Sequence, residues 1–212
     1  MKEILQSPQN NLLLKIETAY ISNISNILKV AAIENNSSVD PSDLVNIIGE
    51  VVSLPKTITN DKRGYEGFST KDIRVGDTVI FRFDVIYEFK MLSKTEKTYK
   101  NRLWYNGKEY WSCDIQKVFG VIRDGEIKMV NGYVMVKDFE PPKIILSQAN
   151  SGVSRAQQSE VMHIGSAKTN AKSIPIERGD NVFFSRIVAA KYQIKGKPFR
   201  IIQQDKILGK EI

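Results

Sequence analysis

The sequence predicts an all-β protein made of two small β-barrels in tandem. Three observations lead there. Short runs rich in β-branched and aromatic residues recur between turn signals, as in Val79-Ile80-Phe81-Arg82-Phe83-Asp84-Val85-Ile86-Tyr87. Long, periodic amphipathic helices are absent. The order of blocks in the first half returns in the second, and such repeats decide an architecture before any local reading does.

The repeat rests on four collinear pairs. Arg74-Val75-Gly76-Asp77-Thr78-Val79-Ile80-Phe81 aligns without a gap with Glu177-Arg178-Gly179-Asp180-Asn181-Val182-Phe183-Phe184, at an offset of 103. Gly107-Lys108-Glu109-Tyr110-Trp111 aligns with Gly196-Lys197-Pro198-Phe199-Arg200 at an offset of 89, and Lys117-Val118-Phe119-Gly120 with Lys206-Ile207-Leu208-Gly209 in the same frame. Glu50-Val51-Val52-Ser53-Leu54 aligns with Glu160-Val161-Met162-His163-Ile164 at 110, and Leu12-Leu13-Leu14-Lys15 with Val134-Met135-Val136-Lys137 at 122. The drop from 103 to 89 gives the first copy an insertion of 14 residues. It falls in the lysine-rich stretch near 90–102, where a hairpin tip tolerates added residues.

Each copy reads in the same order. A short apolar strand comes first, then a long irregular segment and a strand at Glu-Val. A turn-rich excursion, a strand after Gly-Asp and a closing strand pair follow. Strand lengths and turn signals suit a small barrel. The predicted domains are 10–122 and 132–212, joined by a linker over 123–131. The best helical candidate is Pro41–Ile48, with Asp40 as its cap.

Composition narrows the function. With 42% hydrophobic residues, the 212-residue chain can bury a core. The most apolar early stretch, Leu12–Ile33, is interrupted by Lys15, Glu17 and Lys29, so it will not span a membrane. No secretory h-region follows Met1. The expectation is a soluble, intracellular protein. One cysteine, Cys113, and one histidine, His163, exclude an intrachain disulfide and weigh against a structural zinc. No Gly-rich phosphate loop, metal-ligand spacing or nucleophile–base pair is present, so no enzyme, cofactor, metal or catalytic residue is expected. Cys113 reads as a small filler and His163 as a strand residue. The net charge of +7 is spread along the chain, densest from Lys90 to Arg102, and reads as a solvated hairpin tip.

The blocks resemble a GroES-type co-chaperonin. In that family an apolar strand ending in Val-Lys leads into a mobile loop carrying an Ile-Val-Leu-like tripeptide. A Gly-Glu-Val strand, a roof hairpin and Val-Gly-Asp-x-Val-x-Phe follow, and an Asp-Ile-Leu-like segment closes the chain. In the second copy Val134–Lys137, Ile144-Ile145-Leu146, Glu160-Val161, Gly179–Phe184 and Asp205-Lys206-Ile207-Leu208-Gly209-Lys210 take these places, with Ser159 where the family has Gly. In the first copy Gly49-Glu50-Val51 and Val75–Phe81 match, its loop over Glu17–Ile48 is longer, and Ile27-Leu28 takes the tripeptide position. The resemblance implies two tandem GroES-like β-barrels, each with a long mobile loop and a roof-type hairpin. The family's seven-fold ring caps a chaperonin folding cavity, its loops docking on the GroEL-type apical domains. Ile144, Ile145, Leu146, Ile27 and Leu28 are the implied chaperonin-binding residues. Tandem members exist among chloroplast co-chaperonins and phages encode divergent ones. The Asn-, Lys- and Ile-rich composition fits a bacterial or phage genome and a cytoplasmic protein.

Two other classes stay open on the residues alone. A phage could build a virion ring, in capsid or tail, from such barrels. Trp104, Tyr105, Tyr110 and Trp111 lie beside lysines, a composition that can stack single-stranded nucleic acid. Alternation of these aromatics between core and surface of paired strands accounts for them more simply.

Overall fold

The computed structural model describes residues 6–17, 47–59, 64–87, 89–91, 97–139, 156–168, 173–185, 189–194 and 197–211. The strands are β1 (Asn11–Lys15), β2 (Ile48–Ser53), β3 (Thr78–Phe81), β4 (Phe89–Met91), β5 (Lys97–Tyr99), β6 (Arg102–Tyr105), β7 (Lys108–Asp114), β8 (Val118–Arg123) and β9 (Glu126–Met129). They continue with β10 (Tyr133–Lys137), β11 (Ala156–His163), β12 (Asn181–Ser185), β13 (Ala190–Ile194), β14 (Lys197–Gln203) and β15 (Ile207–Lys210). One helical turn, α1 (Asp84–Tyr87), lies between β3 and β4. The all-β expectation holds. A first sheet has the order β6-β7-β1-β2-β3-β8-β9, a second β13-β14-β10-β11-β12-β15, and β4 pairs with β5 apart from both. All these strand pairs are antiparallel.

The two sheets make the same connections at the offsets seen in the sequence. Val51 N–H donates to the Asp77 carbonyl at 2.8 Å, and Val161 N–H to that of Asp180 at 2.9 Å. Gly76 N–H returns to Val51 at 2.8 Å, and Gly179 N–H to Val161 at 2.9 Å. Ile115 N–H reaches the Asn10 carbonyl at 3.0 Å, and Gln204 N–H that of Gly132 at 2.7 Å. Bulges interrupt β1 at Leu13/Leu14 and β10 at Met135/Val136, and β3 at Ile80/Phe81 and β12 at Phe183/Phe184. A 3-10 turn sits at Ile115–Lys117 and another at Gln204–Lys206.

The Gly-Asp signal has a local cause. Gly76 has φ 90° and Gly179 φ 94°, a conformation that a Cβ would strain. The aspartate that follows closes the turn with its side chain. Asp77 Oδ2 accepts the Arg74 N–H at 2.7 Å, and Asp180 Oδ2 the Glu177 N–H at 2.9 Å.

Two apolar clusters fill the molecule. Val134, Val136, Val161, Val182, Phe184 and Ile202 form the core of the second sheet alone. The larger cluster contains Leu12, Leu14, Val51, Val79, Phe81, Trp111 and Val121 of the first sheet, and also Met135, Tyr192, Phe199 and Ile201 of the second. Side chains alternate across a strand. In β10, Val134 and Val136 therefore face their own core, while Met135 faces the first sheet. Phe119 of β8 meets Tyr133 edge-on at 4.9 Å and Tyr192 at 5.2 Å. The strands β10 and β14 are thus covered on both faces.

The structure differs from expectation in several places. The strand expected over Val79–Tyr87 stops at Phe81. A continued strand would send Val85 and Ile86 to opposite faces, and both are buried, at 0% and 2% exposure. A helical turn buries both, with Val85 N–H bonded to the Arg82 carbonyl at 3.1 Å and Ile86 N–H to that of Phe83 at 3.2 Å. The linker expected over 123–131 contains β9, hydrogen-bonded along β8. Around the insertion expected near 90–102 lie the helical turn α1 and the paired strands β4 and β5, and residues 92–96 lie outside the described residues. Of the expected helix Pro41–Ile48, residues 41–46 lie outside the described residues, and Ile48 opens β2. Where roof hairpins were expected, after β2 and after β11, the described residues hold one isolated bridge, Gly165 to Met129, and no strand. No described pair joins β6 to β9 or β13 to β15, so both sheets are open in their pairing.

Candidate functional site

The candidate binding residues Ile144, Ile145, Leu146, Ile27 and Leu28 lie outside the described residues. The structure describes the frames that hold their two segments. Residues 140–155 leave the end of β10 and return at β11, its hydrogen-bonded neighbour. Residues 18–46 do the same between β1 and β2. Each segment therefore starts and finishes on adjacent antiparallel strands.

The base of the second segment is tightly built. Arg200 of β14 donates from Nε to Asp138 Oδ1 at 2.9 Å and from Nη1 to the Ala189 carbonyl at 3.1 Å. Its guanidinium also lies 4.3 Å from the centre of the Phe139 ring. Phe139 in turn meets Phe184 at 5.7 Å. Lys191 Nζ lies 3.7 Å from Asp138 Oδ2. Across the strands, the Ser159 hydroxyl donates to the Lys137 carbonyl at 2.8 Å, and Lys137 pairs with Glu160. A mostly buried guanidinium that satisfies a carboxylate and covers a ring fixes where the segment departs. Sequence reasoning gave none of these residues this role, although Lys137, Ser159, Glu160, Phe184 and Arg200 stand in the blocks it compared. The signal was Arg200 itself, a charge inside the apolar run Phe199-Arg200-Ile201-Ile202.

The base of the first segment is more open. Lys15, Glu17, Ile48, Gly49, Glu50 and Thr78 line a cleft there. At Gly49 a Cβ would stand 3.1 Å from Ile16 and 3.3 Å from Phe81, so a side chain there would have to push these neighbours back by a few tenths of an ångström.

The aromatic-basic cluster divides between core and surface. Trp111 is fully buried and Trp104 is 64% exposed. Glu109 holds both neighbours, accepting from Trp111 Nε1 at 2.9 Å and from Arg102 Nη2 at 2.6 Å. Arg102 lies 4.9 Å from the centre of the Trp104 ring. Tyr105 and Tyr110 are half-buried. One exposed indole is not the row of stacking faces a single strand needs.

Cys113 is fully buried in β7, and burial pushes its thiol pKa up, so it is no thiolate nucleophile. His163 is half-buried near the end of β11. Burial, then the charge of Arg178, lowers its pKa below 6.5. No helix of the described residues is long and apolar enough to cross a membrane.

Residues 126–211 match the family described as chaperonin 10 kDa subunit. The match runs from β9 to β15 and supports a GroES-type family. No curated protein matches the chain.

Proposed function

We propose that the chain is a tandem co-chaperonin, two GroES-like units over 10–122 and 132–212, that caps a chaperonin cavity and is not an enzyme. The family match over 126–211 carries this reading. The hydrogen bonds and bulges shared by the two sheets support the duplication.

On this reading Ile144-Ile145-Leu146 is the tripeptide that enters an apolar groove on the chaperonin, with Ile27-Leu28 as the first unit's equivalent. Residues 140–155 hold little other apolar content. Burying three aliphatic side chains contributes about 1.5–3 kcal/mol each. Ordering the segment takes back about 2–5 kcal/mol. A single segment then binds weakly, and several on one assembly bind firmly through effective concentration. Pro141-Pro142 stiffens the approach to the tripeptide and lowers the ordering cost. The Arg200–Asp138–Phe139 base aims the segment from a fixed root.

The test is co-sedimentation with a GroEL-type chaperonin and nucleotide, scored by electron microscopy. The native chain is expected as a cap. Ile145→Asp with Leu146→Asp is expected to abolish capping and leave the melting temperature unchanged. Capping that persists in this variant, or no capping by the native chain, overturns the reading.

A further inference from the structure

The roots of the two segments stand at matching places in their sheets and are built from different chemistry. Leu14 of β1 stands opposite Trp111 of β7, and Val136 of β10 opposite Arg200 of β14. Gly49 stands opposite Val79, and Ser159 opposite Val182. The last described residue before each segment is Glu17 in the first and Phe139 in the second. Four matching positions differ together: Trp111 against Arg200, Ile16 against Asp138, Glu17 against Phe139, and Gly49 against Ser159. The first root is apolar. Trp111 is fully buried, Ile16 is 5% exposed, and Ile16 and Phe81 both lie against Gly49. Glu17 is exposed.

The second root is polar. Arg200 takes the place of Trp111 with only 12% of its side chain exposed, and Asp138, which satisfies it, stands in the place of Ile16. Phe139, in the place of the exposed Glu17, lies under the guanidinium and against Phe184, the counterpart of Phe81. The Ser159 hydroxyl, in the place of Gly49, holds the Lys137 carbonyl. A guanidinium in the place of Trp111 without Asp138 would be a buried charge with no carboxylate, so these replacements belong together. Their effect on the chain differs too. Apolar burial is non-directional, so it holds Ile16 in the core without aiming the residue that follows. Hydrogen bonds hold only over narrow ranges of distance and angle. Arg200 therefore fixes the Asp138 carboxylate and the Phe139 ring together, up to the last residue before the segment.

We propose that Arg200 is a positioning residue for chaperonin binding: by fixing Asp138 and Phe139 it aims residues 140–155, and it makes the second segment the stronger binder of the two. The proposal rests on the functional reading above. A segment that leaves from a fixed root has fewer arrangements to lose when it binds, so more of its contact energy appears as affinity. Pro141 and Pro142 stand between that root and Ile144, and their rings restrict the chain on the way. The first segment has neither the arginine at its root nor a proline pair after it.

The experiment makes two measurements on the full chain. One is amide hydrogen exchange over 138–147 without a chaperonin. The other is the rate of association with, and dissociation from, a GroEL-type chaperonin with nucleotide. Arg200→Met removes the fork and keeps the length of the side chain. A second variant gives the second sheet the root of the first, with Asp138→Ile, Phe139→Glu, Ser159→Gly and Arg200→Trp, a set the first sheet already folds with. It serves where Arg200→Met fails to fold, and circular dichroism verifies both. In each, exchange is expected to speed up by about tenfold and association to slow by about tenfold, with dissociation unchanged. Arg200→Lys keeps the charge without the fork and is expected to fall between the native chain and Arg200→Met. A merely structural role would lower the melting temperature and leave the rates of the folded chains as they are. Ile145→Asp with Leu146→Asp is expected to weaken binding by at least about tenfold more than Ile27→Asp with Leu28→Asp. Unchanged exchange in the folded variants, faster exchange with unchanged association, or the reverse ranking of the two segments overturns the proposal. If the native chain binds no chaperonin, the functional reading fails and the binding role of Arg200 with it. Faster exchange would then still leave Arg200 as the residue that fixes the segment, and unchanged exchange would remove that as well.

Discussion

Arg123 holds both carboxylate oxygens of Asp77, from Nε at 2.9 Å and Nη2 at 2.6 Å. The aspartate is buried, and the turn that carries it begins β3. The arginine lies at the far end of β8, so the pair ties the Gly-Asp turn to the strand that follows α1 and β7. The hydrogen bonds from Arg123 lower the Asp77 pKa, burial opposes them, and the Arg74 N–H adds to the lowering.

Asp77→Asn is therefore expected to destabilise the protein by about 1–3 kcal/mol at neutral pH, the cost of losing charge-assisted hydrogen bonds to a buried group. A carboxylate whose folded pKa is depressed contributes stability above its unfolded pKa, here 3.8, and that contribution is lost as pH falls through the folded value. Urea titrations of both proteins at pH 7 and at pH 3 check this. The difference between them narrows at the lower pH.

His163 gives a second pH dependence in a different window. Its side chain bonds to the Ile127 backbone of β9, which favours the charged form, but burial and Arg178 outweigh this and lower the pKa. The unfolded chain binds the proton more readily. Stability therefore falls as pH drops from 6.5 toward the lowered folded pKa, and levels off below it. Ring-proton chemical shifts of this sole histidine measure the folded pKa directly. His163→Gln is expected to remove this component of the pH dependence.

Gly165 sits where the chain after β11 touches the end of β9. A Cβ built there falls 1.5 Å from the Met129 carbonyl oxygen. The obstacle is backbone, which cannot rotate away. Gly165→Ala is expected to cost about 3 kcal/mol or more. For a chain of this length that lowers the melting temperature by about 6–12 °C, measurable by calorimetry.

Phe119 and Tyr192 are expected to be energetically coupled across the two sheets. Phe119→Ala alone costs about 3–5 kcal/mol, as for other buried aromatics. In a double-mutant cycle with Tyr192→Ala, the edge-to-face contact at 5.2 Å accounts for about 0.5–1.5 kcal/mol of coupling. Additive single effects would place the two rings in independent environments.

The strands around Gly76-Asp77 and Gly179-Asp180 were legible because a positive-φ glycine and a turn-closing aspartate are local chemistry. The order of blocks was legible for the same reason, since each pair is a short strand with its own turn. The end of β3 was not. Val79–Tyr87 has strand composition throughout, and only the core above it makes a helical turn better for Val85 and Ile86. β9 is four residues long, too short for its alternation to stand out in a stretch read as linker. The contact between sheets did leave a trace. Val134-Met135-Val136 and Ile201-Ile202 are continuous apolar runs, as befits strands covered on both sides. The loop frame left one as well, in Arg200. The tripeptides rest on the family resemblance alone and lie outside the described residues.

The doubly covered strands β10 and β14 have a consequence for how the chain comes apart. Cutting the protein between its sheets would bare Met135, Tyr192, Phe199 and Ile201 on one side and Phe119 on the other. Each piece would then expose apolar side chains that the intact chain buries. The two halves should thus melt in one cooperative step rather than as beads on a string.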